Sequence, residues 1–317
     1  MNIKFSIVSS TYFFFLAALT GGCATTAVQP SNIDISVSQN NETVSSSKQY
    51  AEEEVYGPTP LNETTVYGPE PLAIKPVVLV LGSGWARSFA SAGAIRALVE
   101  EKIPIGAVFA TEMGALIGSL YVFDSNINSF EWTLQRFNES VFDKKTGIFS
   151  GFFNHNLPGK KLEALLKQIF EGKDLRDTKV PFYIGIALSD PPQEKLVVDK
   201  GDIAKAVRAG MSTPGLLAPS DWNGKRAMAL SPDKPFLINE ARLLGLGPVV
   251  VLDASVKSEV IDNALDAVDV VIRPDLSNVD VLDFDKSTEI IFRGKMATMK
   301  KIAEIKHFVG LPTVNTK

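Results

Sequence analysis

The sequence is poor in the residues that most often build metal sites and catalytic triads. Its 317 residues include one cysteine and two histidines. A zinc site of any usual spacing needs more of both, so we expect no metal site, and a histidine-based triad is disfavoured as well. The formal net charge is -4, and there is neither a long basic run nor a basic-aromatic stripe. Nucleic-acid binding is therefore disfavoured.

Long apolar runs are also missing, except for one at the start of the chain. Residues 1–23 read MNIKFSIVSSTYFFFLAALTGGC, with a short basic head, an apolar run from about Phe5 to Leu19, and then small residues. This layout is typical of a secretory signal, and the run is too short and wrongly flanked to be a spanning helix. We therefore predict that residues 1–23 are a signal peptide.

The only cysteine, Cys23, directly follows this segment. Its position resembles that in bacterial lipoprotein signals, in which the cysteine becomes the lipidated first residue of the mature protein. Thr20 stands where that pattern prefers Leu, Val or Ile, and the alternative is a stray cysteine beside an ordinary cleavage site. We predict a lipid anchor at Cys23, and hence an exported bacterial lipoprotein held on a membrane. Ala24, in place of aspartate, favours the outer membrane facing the periplasm, with the cell surface as an alternative.

Residues 24–75 differ in composition from the rest of the chain. Ser, Thr, Asn, Gln, Glu and Pro dominate, and the apolar residues have no sustained period. Such a segment buries too little surface to offset its ordering entropy, so a disordered tether is predicted. It contains a near repeat, VYGPTPL (Val55–Leu61) and VYGPEPL (Val66–Leu72). The repeat is either a semi-stiff linker or a pair of docking motifs for a protein partner.

Short β-branched runs alternate with helical periodicity over residues 76–310, which precede a tail at 311–317. The strand-like runs lie at 77–81, 108–110, 181–187, 195–198, 249–252 and 268–272, and helical stretches include 160–170, 203–209 and 238–244. This alternation predicts an α/β fold with a mostly parallel central sheet sandwiched by helices. In such sheets the ligand site lies outside the carboxyl ends of the strands. The turns at 82–84 and 111–113 fall there.

Three segments of this domain resemble motifs of the patatin-like phospholipases, especially their bacterial branch. LVLGSGWARSFASAGAIRAL is similar to the glycine-rich oxyanion loop, VFATEMGALIGSLY to the G-x-S-x-G elbow that carries the serine nucleophile, and GDIAKAVRAGMSTPGLLAP to the segment before the catalytic aspartate. The similarity keeps its order over nearly the whole domain. It implies a three-layer α/β/α fold, and an acyl hydrolase ancestry based on a Ser-Asp dyad. We expect no cofactor.

The resemblance places the oxyanion loop at residues 82–88. Its predicted members are Gly82, Ser83, Gly84, Trp85 and Arg87. An oxyanion loop aims backbone N–H groups at a developing negative charge, and glycines allow the chain to turn in that way. The bulky side chain at 85 suggests either a lid packed on the loop or a stacking surface for a ligand.

The resemblance places the elbow at residues 110–114, where both halves of the dyad depart from the family pattern. The elbow positions are Thr111, Glu112, Met113 and Gly114, with glutamate in place of the serine. A gapless alignment from Pro235 to Gly245 puts Ala229 at the position of the dyad aspartate. The nearest acid, Asp233, is about four residues late. Because losing either half of such a dyad costs orders of magnitude in rate, we predict a catalytically inactive protein that binds a lipid, an acyl ligand or a protein partner.

We interpret Glu112 as an anion that fills the former oxyanion hole, since a helix N-terminus and the oxyanion loop both direct N–H groups to that spot. The alternative is a solvated glutamate left by drift.

Two other functions are weighed against an inactive protein. The first is an active hydrolase whose nucleophile is displaced to Ser83, Ser88 or Ser91, with Asp233 or Asp190 as the helper. The second is a dinucleotide-binding domain, for which the glycine spacing and the following acid are a poor match.

Overall fold

The computed structural model describes residues 73–137, 139–142, 157–191, 193–230, 235–256 and 267–313. The predicted signal peptide, Cys23, the VYGPxPL repeat and Asp233 lie outside these ranges. The predictions made for them therefore stay predictions.

Eight strands form one sheet. They are β1 (Val77–Leu81), β2 (Ile105–Ala110), β3 (Phe182–Leu188), β4 (Glu194–Val198), β5 (Ser220–Trp222), β6 (Lys225–Ala229), β7 (Val249–Leu252) and β8 (Val270–Ile272). The run β3-β2-β1-β7-β8 is parallel throughout. The α/β prediction with a mostly parallel sheet is confirmed.

The sheet also has an antiparallel part, of which the sequence patterns predicted the strand at 195–198 but neither β5, β6 nor the antiparallel pairing. Strand β3 pairs with β2 through its first residues and with β6 through its last ones, while β4 lies along its other edge. Strand β5 then pairs with β6. The chain thereby brings the end of β6 close to the end of β2, where the elbow begins.

Seven α-helices connect the strands within the described ranges. They are α1 (Ala90–Glu100), α2 (Met113–Asp124), α3 (Ile127–Leu134), α4 (Lys160–Ile169), α5 (Ile203–Met211), α6 (Phe236–Leu243) and α7 (Ser287–Val309). Short 3-10 helices occupy 85–89, 139–142, 175–177 and 284–286.

The three layers follow from the alternation of side chains along the buried strands. In β1, Val77, Leu79 and Leu81 belong to a large core with α1, α2, α4 and α5, whereas Val78 and Val80 join a smaller core with α6 on the opposite face. Successive side chains of a strand point to opposite faces, so a strand that is apolar at every position requires cover on both.

Helices α1 and α7 approach each other closely enough to exclude a side chain at two positions. A Cβ atom added at Gly93 would lie 1.8 Å from the carbonyl oxygen of Ile291, and one added at Gly294 would lie 2.0 Å from that of Ala90. Both obstacles are backbone atoms, which cannot swing aside. This contact fixes α7 against the helix that follows the oxyanion loop.

Candidate active site

The oxyanion loop and the elbow meet because they leave adjacent parallel strands. Leu81, the last residue of β1, is in register with Ala110, the last residue of β2. A Cβ atom at Gly114 would lie 2.6 Å from the carbonyl oxygen of Leu81 and 2.9 Å from that of Gly82. Only glycine allows the start of α2 to pack this closely on the loop, which explains the last glycine of the motif.

The backbone of Glu112 has the strained conformation of a nucleophile elbow. Its φ is +50° and its ψ is −135° at the N-cap of α2. A non-glycine residue in such a conformation costs about 1–3 kcal/mol and needs support from its surroundings. The Glu112 N–H donates to the carbonyl of Gly210 at 2.8 Å. Helix α5 therefore holds the turn in place.

The carboxylate of Glu112 faces the oxyanion loop and not the solvent. The residue is only 4% exposed, and the Gly84 N–H donates to Oε2 at 3.3 Å. Gly84 has φ +140°, and a Cβ there would lie 2.8 Å from the carbonyl of Ala254. A glycine is therefore required for this N–H to point at the carboxylate.

Burial raises the pKa of Glu112 to about 7, and the hydrogen bond from Gly84 lowers it only in part. The expectation that helix amides would bind this carboxylate is wrong, because no N–H group of α2 caps the side chain. A buried carboxyl group with a single N–H donor is stabilised in its neutral form. Near neutral pH, Glu112 is thus a mixture of acid and carboxylate.

Trp85 packs inside an aromatic cluster under the loop. It is 4% exposed, with its ring centroid 5.5 Å from that of Phe142 and 6.4 Å from that of Phe284, both edge-on. Phe89 also contacts Phe284 edge-on. Of the two interpretations for this residue, the packing favours a lid that belongs to the loop.

Arg87 ties the oxyanion loop to two distant loops. Its guanidinium donates to the carbonyls of Ala254 (2.8 Å), Ser255 (3.1 Å), Leu276 (2.8 Å) and Val279 (3.0 Å). Burial lowers its pKa, and nearby carboxylates partly offset this effect. The arginine that the family motif retains is a positioning residue for the loop.

We expect Arg87→Lys to destabilise the protein by about 2 kcal/mol, because one ammonium group cannot replace a fork that serves four carbonyls. Urea unfolding measures the change. Arg136→Lys is the matched control, since Arg136 donates to Gln168 in an exposed pair. Equal stabilities for the two variants would contradict the role assigned to Arg87.

The predicted position of the missing aspartate lies beside the elbow. Ala229 ends β6, and the N–H of the next residue, Leu230, donates to Thr111 Oγ1 at 3.2 Å. Thr111 in turn donates to the carbonyl of Gly185 at 3.2 Å. An acid at 229 would be near the elbow, but a methyl group cannot accept a proton.

Comparison with known proteins agrees with this geometry. A family model described as patatin-like phospholipase matches residues 79–230, a span that includes the oxyanion loop, the elbow and Ala229. This chain carries a patatin-like phospholipase domain.

Several curated proteins are similar to it over this domain. A putative patatin-like phospholipase domain-containing protein of Caenorhabditis elegans is 27% identical over 54% of this chain and 16% of its own length. Lysophospholipase NTE1 of Candida albicans is 23% identical over 57% of this chain and 13% of its own. Mouse patatin-like phospholipase domain-containing protein 7 is 26% identical over 58% of this chain and 14% of its own. The chain therefore spans less than a fifth of the length of these relatives.

Two solved structures also resemble it. VipD from Legionella pneumophila has a TM-score of 0.48 and 10% identity, covering 74% of this chain and 67% of that one. ExoU from the type III secretion system of Pseudomonas aeruginosa has a TM-score of 0.43 and 12% identity, covering 73% of this chain and 53% of that one.

Two of the three serines considered as displaced nucleophiles, Ser88 and Ser91, are not arranged for that role, whereas Ser83 is partly exposed. Ser88 and Ser91 are buried, and their hydroxyls find no hydrogen-bond partner in the described part of the chain. The proposed helper Asp190 accepts from both the N–H and the guanidinium of Arg226, at 2.8 and 2.9 Å, and these bonds lower its pKa. Within the described residues, no hydrogen bond joins Ser88 or Ser91 to Asp190.

Another acid of the domain, Asp253 at the end of β7, is also engaged. It accepts from Ser255, and it forms an ion pair with Arg273 at 3.1 Å.

Among the residues that the structure describes, no cluster of three or more His, Cys, Asp or Glu is placed to hold a metal. No helix in the described ranges has the length and apolarity of a membrane span.

Proposed function

We propose that this protein is a patatin-like protein that does not hydrolyse esters, is anchored to the cell envelope through Cys23, and keeps the fold to bind an acyl lipid or a protein partner. One observation carries the proposal: the Glu112 side chain takes the place of the nucleophile and is buried against the Gly84 N–H at 3.3 Å. The group that would attack is absent, and the amide that would stabilise an oxyanion already has a partner.

A carboxylate nucleophile is the obvious objection, since acyl-type intermediates on Asp and Glu are known. Such an intermediate must be hydrolysed by an activated water. Among the described residues, the Glu112 carboxyl group is hydrogen-bonded by the Gly84 N–H, and no histidine or second carboxylate is hydrogen-bonded to it. Its raised pKa also leaves part of the protein with a neutral acid, which is a poor nucleophile.

We expect the purified protein to show no turnover of phospholipid or lysophospholipid and no labelling by a fluorophosphonate, because the elbow lacks an activated hydroxyl. The Glu112→Ala variant should give the same blank result. Turnover that survives Glu112→Ala but disappears in Ser83→Ala, Ser88→Ala or Ser91→Ala would establish a displaced nucleophile. Turnover abolished by Glu112→Ala would establish carboxylate chemistry. Either result overturns the proposal.

The binding part of the proposal has a separate readout. Lipid extraction and mass spectrometry of the purified protein should recover acyl lipid, or a co-purifying protein should be found by the same method. A chain that is inactive and yet free of both would refute the binding role while leaving the loss of hydrolysis intact. Mass spectrometry of the mature N-terminus tests the anchor, which requires a lipid on Cys23.

A further inference from the structure

The surface groove between α7 and the loop after β8 combines cations with exposed apolar side chains. Its volume is about 750 Å³. Its charged and apolar lining includes Arg273, Phe292, Arg293, Met296, Lys300 and Lys301. We refer to it as the α7 groove.

The helical repeat aligns these residues along one wall of the α7 groove. Phe292, Met296 and Lys300 follow each other at intervals of four residues, and so lie along one face of the helix. Phe292 is 61% exposed and Met296 is 43% exposed. Large apolar side chains that protrude beside cations are typical of surfaces that bind an amphiphile.

The charge of the α7 groove is opposite to that of the chain as a whole. Four basic side chains line it against one acid, Asp275, although the net charge of the protein is -4. Three of the cations already have acidic partners. Arg273 pairs with Asp253, Arg293 with Glu289, and Lys301 with Glu304.

Lys300 remains available to an external anion. It makes no hydrogen bond or ion pair with the described residues, and it is exposed on the same face as Phe292 and Met296. Its charge acts on Asp275 only at longer range, so its ammonium group is free to form a direct ion pair with a bound anion.

We propose that the α7 groove docks on the surface of an anionic phospholipid membrane. Lipid phosphates meet the cations, while Phe292 and Met296 enter the boundary between headgroups and acyl chains. The charge complementarity accounts for the lysine and arginine side chains, and the amphiphilic character of a lipid surface accounts for the exposed phenylalanine and methionine. An acidic peptide or a soluble phosphate would account for the cationic side chains but not for the exposed phenylalanine and methionine.

The docking surface is connected to the candidate active site by a single loop. On one side of this loop, Arg293 donates to the carbonyl of Asp275 at 2.7 Å and to Asn278 Oδ1 at 2.6 Å. On the other side, Arg87 donates to the carbonyls of Leu276 and Val279. Docking through the α7 groove therefore holds the oxyanion loop at a fixed place relative to the bilayer. This inference is independent of ester hydrolysis and of lipidation.

Vesicle flotation tests the inference with the full chain carrying Cys23→Ser, so that no anchor forms. The vesicles are phosphatidylcholine alone or phosphatidylcholine with phosphatidylglycerol. We expect binding only to the anionic vesicles, with the affinity reduced about tenfold by Lys300→Glu and by a similar factor in Phe292→Ser. Added salt should weaken binding of the parent chain and narrow its difference from Lys300→Glu, because the electrostatic part is screened.

Lys167→Glu is the matched control, because Lys167 is also an exposed helical lysine without an ion pair in the described part of the chain. It should bind like the parent chain. Equal losses in Lys167→Glu and Lys300→Glu, no effect of Phe292→Ser, or release of the vesicles by soluble glycerophosphate or by an acidic peptide would each overturn the inference. The substitutions at 167, 292 and 300 lie at exposed positions, and the unfolding temperatures of the variants verify that they fold.

Discussion

Glu112→Gln is expected to stabilise the folded protein by about 3 kcal/mol at about pH 8 and to change its stability little at about pH 4. Glutamine keeps the shape of the side chain and an oxygen that accepts from the Gly84 N–H. It removes the ionisation and replaces the other carboxyl oxygen by an NH2 group. The expected gain is therefore the cost of placing a carboxylate in this buried site.

The sign follows from the two states of the chain. The pKa of Glu112 is raised from 4.5 to about 7 in the folded protein, whereas the unfolded chain keeps the ordinary value. Below about pH 4.5 both states are protonated, so the group contributes no pH dependence. Between about pH 4.5 and 7 only the unfolded state loses its proton, and stability falls by about 1.4 kcal/mol for each pH unit. Above about pH 7 the loss is complete.

Urea unfolding at the two pH values measures the effect, with Glu171→Gln as the control for an exposed acid. The same experiment separates two views of the elbow. If Glu112 acts as an anion that stabilises the site, Glu112→Gln will destabilise the protein at the higher pH. Identical pH profiles for the parent and the variant would show that burial does not govern this carboxyl group.

Gly294→Ala is expected to destabilise the protein by about 3 kcal/mol or more, in spite of the better helix propensity of alanine. The added Cβ would lie 2.0 Å from the carbonyl oxygen of Ala90, so α1 and α7 must move apart along a closely packed contact. Gly93→Ala should have a similar effect, because its added Cβ would lie 1.8 Å from the carbonyl oxygen of Ile291 in α7.

Thermal and urea unfolding measure this loss. Gly82→Ala is the control, because a Cβ there would meet its nearest atom, the carbonyl oxygen of Leu252, at an ordinary 3.7 Å. A Gly294→Ala variant as stable as Gly82→Ala would mean that the two helices do not touch as described.

The parallel part of the fold was predictable because its signals are local. The run VVLVL at 77–81 is apolar at every position, and only a strand covered on both faces suits such a run. Strands β1 and β2 are each followed by a turn and a helix, so the meeting of the oxyanion loop and the elbow follows from their parallel pairing. The motif glycines then specify the close contact at Gly114.

The antiparallel part was not predictable in the same way. Strand β6 reads KRAMA, which has two charges and no apolar period. It is a strand because β3 and β5 pair with it, so tertiary context decides its conformation. The contacts of Arg87 could not be predicted from the sequence either, since its four carbonyl partners lie 167 to 192 residues further along the chain.

The ionisation state of Glu112 depends on which of two opposing influences on its pKa is larger, the helix dipole or desolvation. The sequence suggested that a helix N-terminus would favour the anion, an effect of about 0.3–2 kcal/mol. In the structure desolvation is the larger influence on the pKa, and the net shift from the ordinary value to about 7 corresponds to about 3 kcal/mol. A sequence motif locates the turn, but it does not give the degree of desolvation of the Glu112 carboxyl group.

The main-chain bend at position 112 has an evolutionary consequence. A backbone with φ +50° and ψ −135° is costly for glutamate, yet the surrounding helices still impose it. Under the proposed function, reacquiring a nucleophile at this point would require a change of side chain only, since the backbone already has the conformation that a reactive hydroxyl needs. Under the proposed function, hydrolysis was therefore lost through a few side-chain changes while the backbone of the elbow was retained.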